Sequence, residues 1–181
     1  LAVAQASGWL EGDASPLLLQ ADRLGWRRWL QAMEQVVAEL VERAHAPLLQ
    51  PASDAAPELS DRLNPEQCAA VHALDQSSVV LLSGGPGTGK TSTVVEILAR
   101  AEARHPGLRI GLAAPTGKAA RRLGEAVLAH RAPLPCSTLH RWLEAGSRGF
   151  GRHRQRPLEL DLLVIDEMSM LDLALTQALL E

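Results

Sequence analysis

An eight-residue run constrains this chain more than any other feature of its sequence. Residues 84–91 follow the pattern Gly-x-x-x-x-Gly-Lys-[Ser/Thr], and the apolar run 79–83 comes directly before them. Apolar side chains at Val94, Val95 and Leu98 favour a helix directly after the run. Strand, loop and helix in this order are the context that a phosphate-binding loop requires. We therefore expect a buried strand at 79–83 and, after it, a loop that binds phosphate groups at a helix N-terminus.

The residue types in this loop suit phosphate chemistry. Glycines let the backbone curl tightly and turn its N–H groups inward. Lys90 is expected to reach the β- and γ-phosphates, and the Thr91 hydroxyl to ligate Mg²⁺. The loop residues expected to bind the nucleotide are Gly84, Gly85, Pro86, Gly87, Thr88, Gly89, Lys90 and Thr91. A glycine-rich turn without a ligand is the alternative.

Composition limits the class of protein. The 181 residues carry a net charge of −3, with 46% hydrophobic and 22% charged residues, which is ordinary for a globular protein. The basic residues show no excess that would by itself indicate nucleic-acid binding. The two cysteines, Cys68 and Cys136, lack metal-ligand spacing and are expected to be buried free thiols in a reducing cytoplasm. No apolar run approaches 18 residues, so we expect no membrane span.

Two regions are expected, with a linker between them. A short strand near residues 16–20 and an amphipathic helix over about 26–44 would form part of an N-terminal domain over 1–45. The apolar stripe of that helix is expected to pack against a core, although base stacking is open for its tryptophans. Three prolines among Ala, Ser and Asp favour a linker at 46–62. Strands alternating with helices over 63–181 predict a parallel α/β sheet.

Two adjacent acids complete the chemistry of the second region. Asp166 and Glu167 follow the apolar run 162–165, and Asp166 lies 76 residues beyond Lys90. Carboxylates at the carboxyl end of a parallel strand face the same crevice as the phosphate loop. Asp166 would then hold Mg²⁺, and Glu167 would polarise the attacking water. Lys90 and Glu167 are therefore the expected catalytic residues.

Five segments in order resemble the RecD family, the helicase subunit of bacterial RecBCD (exodeoxyribonuclease V) and its stand-alone relatives. They are residues 63–67, 84–91, 114–120, 137–141 and 164–169. The resemblance implies a RecA-like P-loop lobe over 63–181 and an ATP- and Mg²⁺-dependent 5′→3′ DNA helicase acting in double-strand-break repair. It also implies a bacterial cytoplasmic protein that binds single- and double-stranded DNA, with RecB- and RecC-type subunits as partners unless it is stand-alone.

The resemblance assigns further contacts. Gln67 matches a glutamine that reads the adenine edge, but with Asn64 it also forms a capping box, and both roles stay open. Thr116 and Lys118, and Thr138 and His140, match segments that grip single-stranded DNA; capped turns and a structural histidine are the alternatives. The arginine-rich segment 148–156 suits either single-strand binding or a solvated hairpin.

The motifs that the family carries in its second lobe are not found in these 181 residues. We therefore expect an N-terminal fragment whose first lobe is truncated after the strand that bears the acids, and which would not unwind DNA alone. A non-catalytic assembly subunit that retains the fold, or a different P-loop nucleotide hydrolase, is the alternative. A GTPase is disfavoured because neither lysine is followed by x-Asp.

Overall fold

The N-terminal region contains a hairpin and one long helix. The computed structural model describes residues 2–21, 23–48, 59–61, 63–85 and 87–181. Helix α1 (Ala2–Ala6) is followed by antiparallel strands β1 (Leu17–Gln20) and β2 (Arg23–Trp26), and α2 (Arg27–Ala44) comes next. The predicted strand and helix are confirmed, whereas β2 was not predicted. Most of the predicted linker at 46–62 lies outside the described residues.

The second region alternates helices and strands. Its elements are α3 (Pro65–Ala73), α4 (Lys90–Arg104), β3 (Ile110–Ala114), α5 (Gly117–Leu128), β4 (Cys136–Thr138), α6 (Leu139–Trp142), β5 (Leu162–Ile165), a short 3-10 helix (Met168–Met170) and α7 (Leu173–Leu180). The strands form one sheet in the order β4-β3-β5, and both pairs are parallel. The predicted α/β class with a parallel sheet is confirmed.

The sheet has a hydrophobic core on each face because side chains alternate along its strands. On one face, Leu112 of β3 packs with Leu98 of α4 and with Leu123 and Val127 of α5. On the other face, its neighbour Ala113 packs with residues of α6 and α7, including Leu139 and Leu175. Helices therefore cover both faces of the sheet. The carboxyl ends of the three parallel strands lie side by side at one end of the sheet, and we call this end the open edge.

The segment at 79–83 differs from the prediction. It forms no strand, and the Leu81 side chain is 71% exposed, so the expectation of a buried strand there is wrong. An extended segment becomes a strand only when a neighbour accepts and donates its ladder hydrogen bonds. Within the described residues, the sheet contains only β3, β4 and β5, so residues 79–83 have no such neighbour.

Helix α2 also differs from the prediction in which side it packs. Hydrogen bonds join Gln35 to Gln177 at 3.0 Å and the Arg43 guanidinium to the Leu180 carbonyl, so this side of α2 lies on α7. The predicted packing stripe lies further round the helix, where four of its side chains are about half exposed. They are Trp26, Trp29, Met33 and Val37. The expectation that this stripe packs against a core is therefore wrong for these four residues.

Ion pairs connect helices and strands at the end of the sheet opposite the open edge. Asp75, just after α3, accepts hydrogen bonds from Arg100 (2.6 Å) and Arg104 of α4. Burial alone would raise the pKa of Asp75, but the two guanidinium groups outweigh it and hold the pKa below its usual value. Asp161, just before β5, accepts from the Arg109 side chain at 2.7 Å and from the Arg109 backbone N–H at 2.9 Å.

Asp161→Asn is expected to lower the free energy of unfolding by about 1 kcal/mol near neutral pH. The Arg109 side chain is largely solvent-exposed, so its share of this value is small. The rest comes from the hydrogen bond to the Arg109 backbone N–H, which the neutral amide oxygen of asparagine accepts more weakly than the carboxylate does. The side-chain and backbone hydrogen bonds from Arg109 lower the pKa of Asp161 to about 2. Because this pKa is depressed in the folded state, its stabilisation is present above about pH 4 and is lost as the pH falls towards 2.

Urea unfolding at pH 6 and pH 3 measures this prediction. The difference in stability between the wild type and Asp161→Asn should be smaller at pH 3. Glu34→Gln, on the exposed side of α2, is a matched control that should leave the stability unchanged at both pH values. An equal urea midpoint for the wild type and Asp161→Asn at pH 6 would contradict the prediction.

Candidate nucleotide-binding site

The phosphate loop ends at the N-terminus of α4 in a left-handed backbone conformation. Gly87 and Gly89 have φ angles of 76° and 78°, a region that side chains other than glycine rarely adopt. Gly89 is the N-cap of α4 and provides no side chain to accept from the first N–H groups of the helix. These donors therefore stay available to an anion, and the helix dipole favours one there.

Lys90 bends back over the loop that precedes it. Its Nζ donates to the carbonyl oxygens of Gly84 at 2.6 Å and Gly85 at 2.7 Å. The Thr88 hydroxyl also donates to the Gly85 carbonyl, at 2.9 Å. These bonds hold the ammonium group of Lys90 above the loop. A lysine ammonium is a compact charge of the kind that binds phosphate.

Gln67 forms the capping box and also contacts the loop. Asn64 Oδ1 accepts from the Gln67 backbone N–H at 2.8 Å, and Gln67 Oε1 accepts from the Asn64 backbone N–H at 2.9 Å. Gln67 Nε2 donates to the Thr88 carbonyl at 3.1 Å. A Cβ atom at Gly89 would lie 2.4 Å from Gln67 Nε2 and would displace that amide, and the φ of 78° independently favours glycine there. Of the two predicted roles of Gln67, capping is therefore the one its hydrogen bonds serve in this structure.

The two acids directly follow β5 at the open edge of the sheet. The Asp166 backbone N–H donates to the Ala113 carbonyl at 3.0 Å, and Asp166 Oδ1 accepts from the Glu167 backbone N–H at 2.8 Å. Both acids are exposed. Glu167 has φ 55° and is the N-cap of the 3-10 helix. A left-handed glutamate is unusual, and such strain concentrates at functional sites. No sequence signal predicted it.

The residues predicted to contact DNA lie at the same edge. Ala114, the last residue of β3, is paired with Thr138, the last residue of β4. Thr116 Oγ1 accepts from the Ala119 N–H at 3.2 Å, and Thr138 Oγ1 accepts from the Arg141 N–H at 3.3 Å. Both threonines are therefore helix N-caps. Lys118 and His140 are exposed.

The arginine-rich segment 148–156 is held by acids. Arg152 and Arg156 pair with Glu144 at 2.9 and 2.7 Å, and Arg154 pairs with Glu39 of α2 at 2.5 Å. Phe150 packs against the core that α6 and α7 form. Because the aromatic ring is packed and three arginines are paired, this structure favours the hairpin over a base-stacking surface.

A cleft of about 220 Å³ adjoins the phosphate loop on its Gln67 side. It is lined by Ser60, Leu63, Gln67, Ser92, Val95, Glu96 and His130. Among these residues, the sequence predicted a binding role only for Gln67. A larger cleft, of about 490 Å³, lies between α2, α7 and the arginine-rich hairpin, away from the loop.

The described residues hold no group of three or more His, Cys, Asp or Glu side chains that could bind a metal ion by themselves. Mg²⁺ does not need one, since it takes one or two carboxylates together with substrate phosphates and water. The Thr91 hydroxyl and the Asp166 carboxylate are oxygen donors of this kind. The helices in the described part of the chain are all too short or too polar to cross a membrane.

Comparison with known proteins decides the family. A model of an AAA domain matches residues 67–181, which is more than half of the chain. The RecBCD enzyme subunit RecD of Mycobacterium tuberculosis is 41% identical over 204 aligned positions, and the alignment covers all of this chain. This chain is a RecD-family member with an AAA domain. The resemblance inferred from the five sequence segments is confirmed.

Other relatives agree with this assignment. The ATP-dependent RecD2 DNA helicase of Deinococcus radiodurans is 44% identical over 118 residues, which is 65% of this chain and 16% of the relative. RecD of Mycolicibacterium smegmatis is 44% identical over 136 positions, which is 64% of this chain and 24% of the relative. The chain covers 34% of the M. tuberculosis protein. It therefore spans about a third or less of the length of these curated relatives.

Proposed function

We propose that this RecD-family chain is the nucleotide-binding part of an ATP-dependent 5′→3′ DNA helicase. The observation that carries the proposal is the phosphate loop, in which Gly87 and Gly89 expose the N-terminus of α4 beside the Lys90 ammonium. Backbone donors, a helix dipole and a lysine together match the charge of a triphosphate. A relative described as an ATP-dependent DNA helicase supports ATP as the nucleotide and DNA as the substrate.

In this proposal, the residues of the site divide the work of hydrolysis. Lys90 leaves the loop carbonyls to bind the β- and γ-phosphates, and Gln67 meets the adenine. Asp166 and Thr91 hold Mg²⁺, which neutralises charge on the phosphates. Glu167, whose carboxylate stands exposed beside Asp166, orients the attacking water and accepts its proton.

We propose that single-stranded DNA binds along the same open edge. Lys118 and His140 are exposed there, and Thr116 and Thr138 fix the turns that carry them. A single strand crossing this edge would meet one cation and two helix N-termini through its phosphates. Because the edge also carries Asp166 and Glu167, movement of the DNA and hydrolysis would be coupled across the ends of adjacent strands.

The wider biological assignment follows from the relatives. We propose residues 1–45 as part of an N-terminal domain, 46–62 as a linker and 63–181 as the first ATPase lobe. Relatives described as RecBCD enzyme subunits support RecB- and RecC-type partners. We propose double-strand-break repair in the bacterial cytoplasm as the setting. The RecD2 relative supports the stand-alone form as the other arrangement.

Strand displacement on tailed duplexes tests this function. The full-length protein should unwind a DNA duplex with a 5′ single-stranded tail when ATP and Mg²⁺ are present. It should leave a duplex with a 3′ tail, or a blunt duplex, largely intact. Preferential unwinding of the 3′-tailed duplex would contradict the polarity, and an absence of DNA-stimulated ATP hydrolysis would contradict the function.

A further inference from the structure

Most arginines of the second region are paired with acids, but those of α5 are not. The paired arginines are Arg100, Arg104, Arg109, Arg131, Arg152, Arg154 and Arg156. Arg121 and Arg122 of α5 are exposed, and within the described residues neither side chain forms a hydrogen bond or an ion pair. The same is true of Lys118, one turn earlier on this helix. The solvent-facing side of α5 therefore presents cations that no described residue pairs with.

These cations are neighbours on the helix surface. Residues three and four positions apart lie side by side, so Arg121 and Arg122 both flank Lys118. The opposite side of α5 is buried and consists of Ala119, Ala120, Leu123 and Val127. Glu125 has the spacing to pair with either arginine, yet it forms no ion pair with them in this structure. The positive charges on this side are thus left uncompensated.

This distribution of charge is unfavourable for the helix by itself. A helix dipole favours acids in the first turn and cations in the last, but α5 (Gly117–Leu128) has neither. Its cations lie in the first half instead, where like charges at this spacing repel one another. A local rule that is broken without a compensating contact is expected at a functional site. An anionic ligand would relieve the repulsion.

The same cations continue from the open edge towards the β4 side of α5. Lys118 is the second residue of the helix and begins the group. Ala120 and Gly124 face β4, because Cys136 Sγ donates to the Ala120 carbonyl at 2.9 Å and a Cβ atom at Gly124 would lie 3.4 Å from Cys136. Arg121 adjoins Gly124 on the helix surface. Since β4 is the outer strand of the described sheet, a strand of DNA that leaves the open edge there would pass Arg121.

We propose that Arg121 and Arg122 bind backbone phosphates of the single strand that crosses the open edge. The DNA-binding surface then extends from Lys118 along α5. The proposal rests on the function proposed above, because it requires DNA at this edge. Contacts to phosphate position a strand without reading its sequence, so these arginines strengthen binding to every sequence alike.

Equilibrium binding of a labelled oligothymidylate to the full-length protein, measured at a series of salt concentrations, tests the proposal. Without the two phosphate contacts, the slope of log K against log salt should become shallower by about 1.4. The double variant Arg121→Ala and Arg122→Ala should therefore bind about tenfold or more weakly at about 0.1 M salt. Lysine at both positions keeps the charges and should keep most of the slope.

The melting temperature of the same double variant separates binding from folding. Alanine favours helix, and its introduction removes the repulsion between neighbouring cations. In the absence of DNA, the variant should therefore melt at the same temperature as the wild type or higher. Weaker DNA binding by a protein that is no less stable shows that the arginines act on the ligand.

Arg23→Ala is the matched control for Arg121→Ala, since each removes one exposed, unpaired guanidinium. Arg23 lies in the N-terminal hairpin, and its side chain has no hydrogen bond or ion pair within the described residues. The control should keep the affinity and the salt slope of the wild type. A wild-type affinity and slope in the double variant, or an equal loss in Arg23→Ala, would overturn the proposal and leave the proposed function standing. If the wild type does not bind the oligothymidylate, the proposed function fails as well.

Discussion

Lys90→Ala is expected to abolish DNA-stimulated ATP hydrolysis by the full-length protein, with a loss of at least about a hundredfold in kcat. The ammonium of Lys90 is held by the carbonyl oxygens of Gly84 and Gly85, directly over the loop. Moving it from these two carbonyls onto the phosphates would place a full charge where negative charge accumulates in the transition state. Alanine removes that charge and leaves α4 intact, because alanine favours helix.

Steady-state hydrolysis at saturating single-stranded DNA measures this loss. Lys118→Ala is the matched control, since Lys118 is the only other lysine in the chain and is exposed at the open edge. It should keep the hydrolysis rate measured without DNA, and it should raise the DNA concentration that gives half-maximal stimulation. Turnover within threefold of the wild type in Lys90→Ala would rule out the phosphate-binding role of the loop.

The second region shows most clearly how much of the fold can be predicted from sequence alone. Helix α4 and strand β5 lie where apolar patterns and the motifs predicted them, and so does the edge that carries Asp166. Each of these features depends on residues that are close in sequence, or on the rule that the carboxyl ends of parallel strands lie at the same end of a sheet. Such features can be predicted because local patterns and simple topology determine them.

The failures share a different cause. Residues 79–83 have the composition of a buried strand, yet pairing depends on which strands stand beside them. The stripe of α2 has helical spacing, but spacing does not tell which side meets α7. The sequence of a segment does not show which strand or helix it will pack against. Hydrophobic packing is non-directional, so the same helix could present either side to its neighbour.

The site shows the same limit on a smaller scale. The motif predicted that Gln67 lies near the loop, and capping and adenine contact remained alternatives. Only the bonds to Asn64 and Thr88 show how its amide is used in this structure. The positive φ of Glu167 and the cleft beside Gln67 also arise from the folded backbone, with no preceding pattern in the sequence.

Glu167→Gln is expected to preserve ATP binding and to slow hydrolysis by about 10²- to 10⁴-fold, the usual contribution of a general base. The amide has the shape of the carboxylate but cannot accept the proton of the attacking water. Within the described part of the chain, no hydrogen bond or ion pair joins the Glu167 side chain to the loop, and Glu167 does not line the cleft beside Gln67, so the affinity for ATP should change little. Single-turnover hydrolysis together with equilibrium ATP binding separates the two quantities.

The left-handed backbone of Glu167 provides the decisive control. Glu167→Gly adopts φ 55° without strain, so it should keep or raise the melting temperature while it still loses hydrolysis. If Glu167→Gly is at least as stable as the wild type and does not hydrolyse ATP, the carboxylate serves hydrolysis and not folding. If Glu167→Gln hydrolyses ATP within threefold of the wild type, the base must be sought elsewhere on the open edge. In that case the strain at residue 167 would belong to the turn into the 3-10 helix alone.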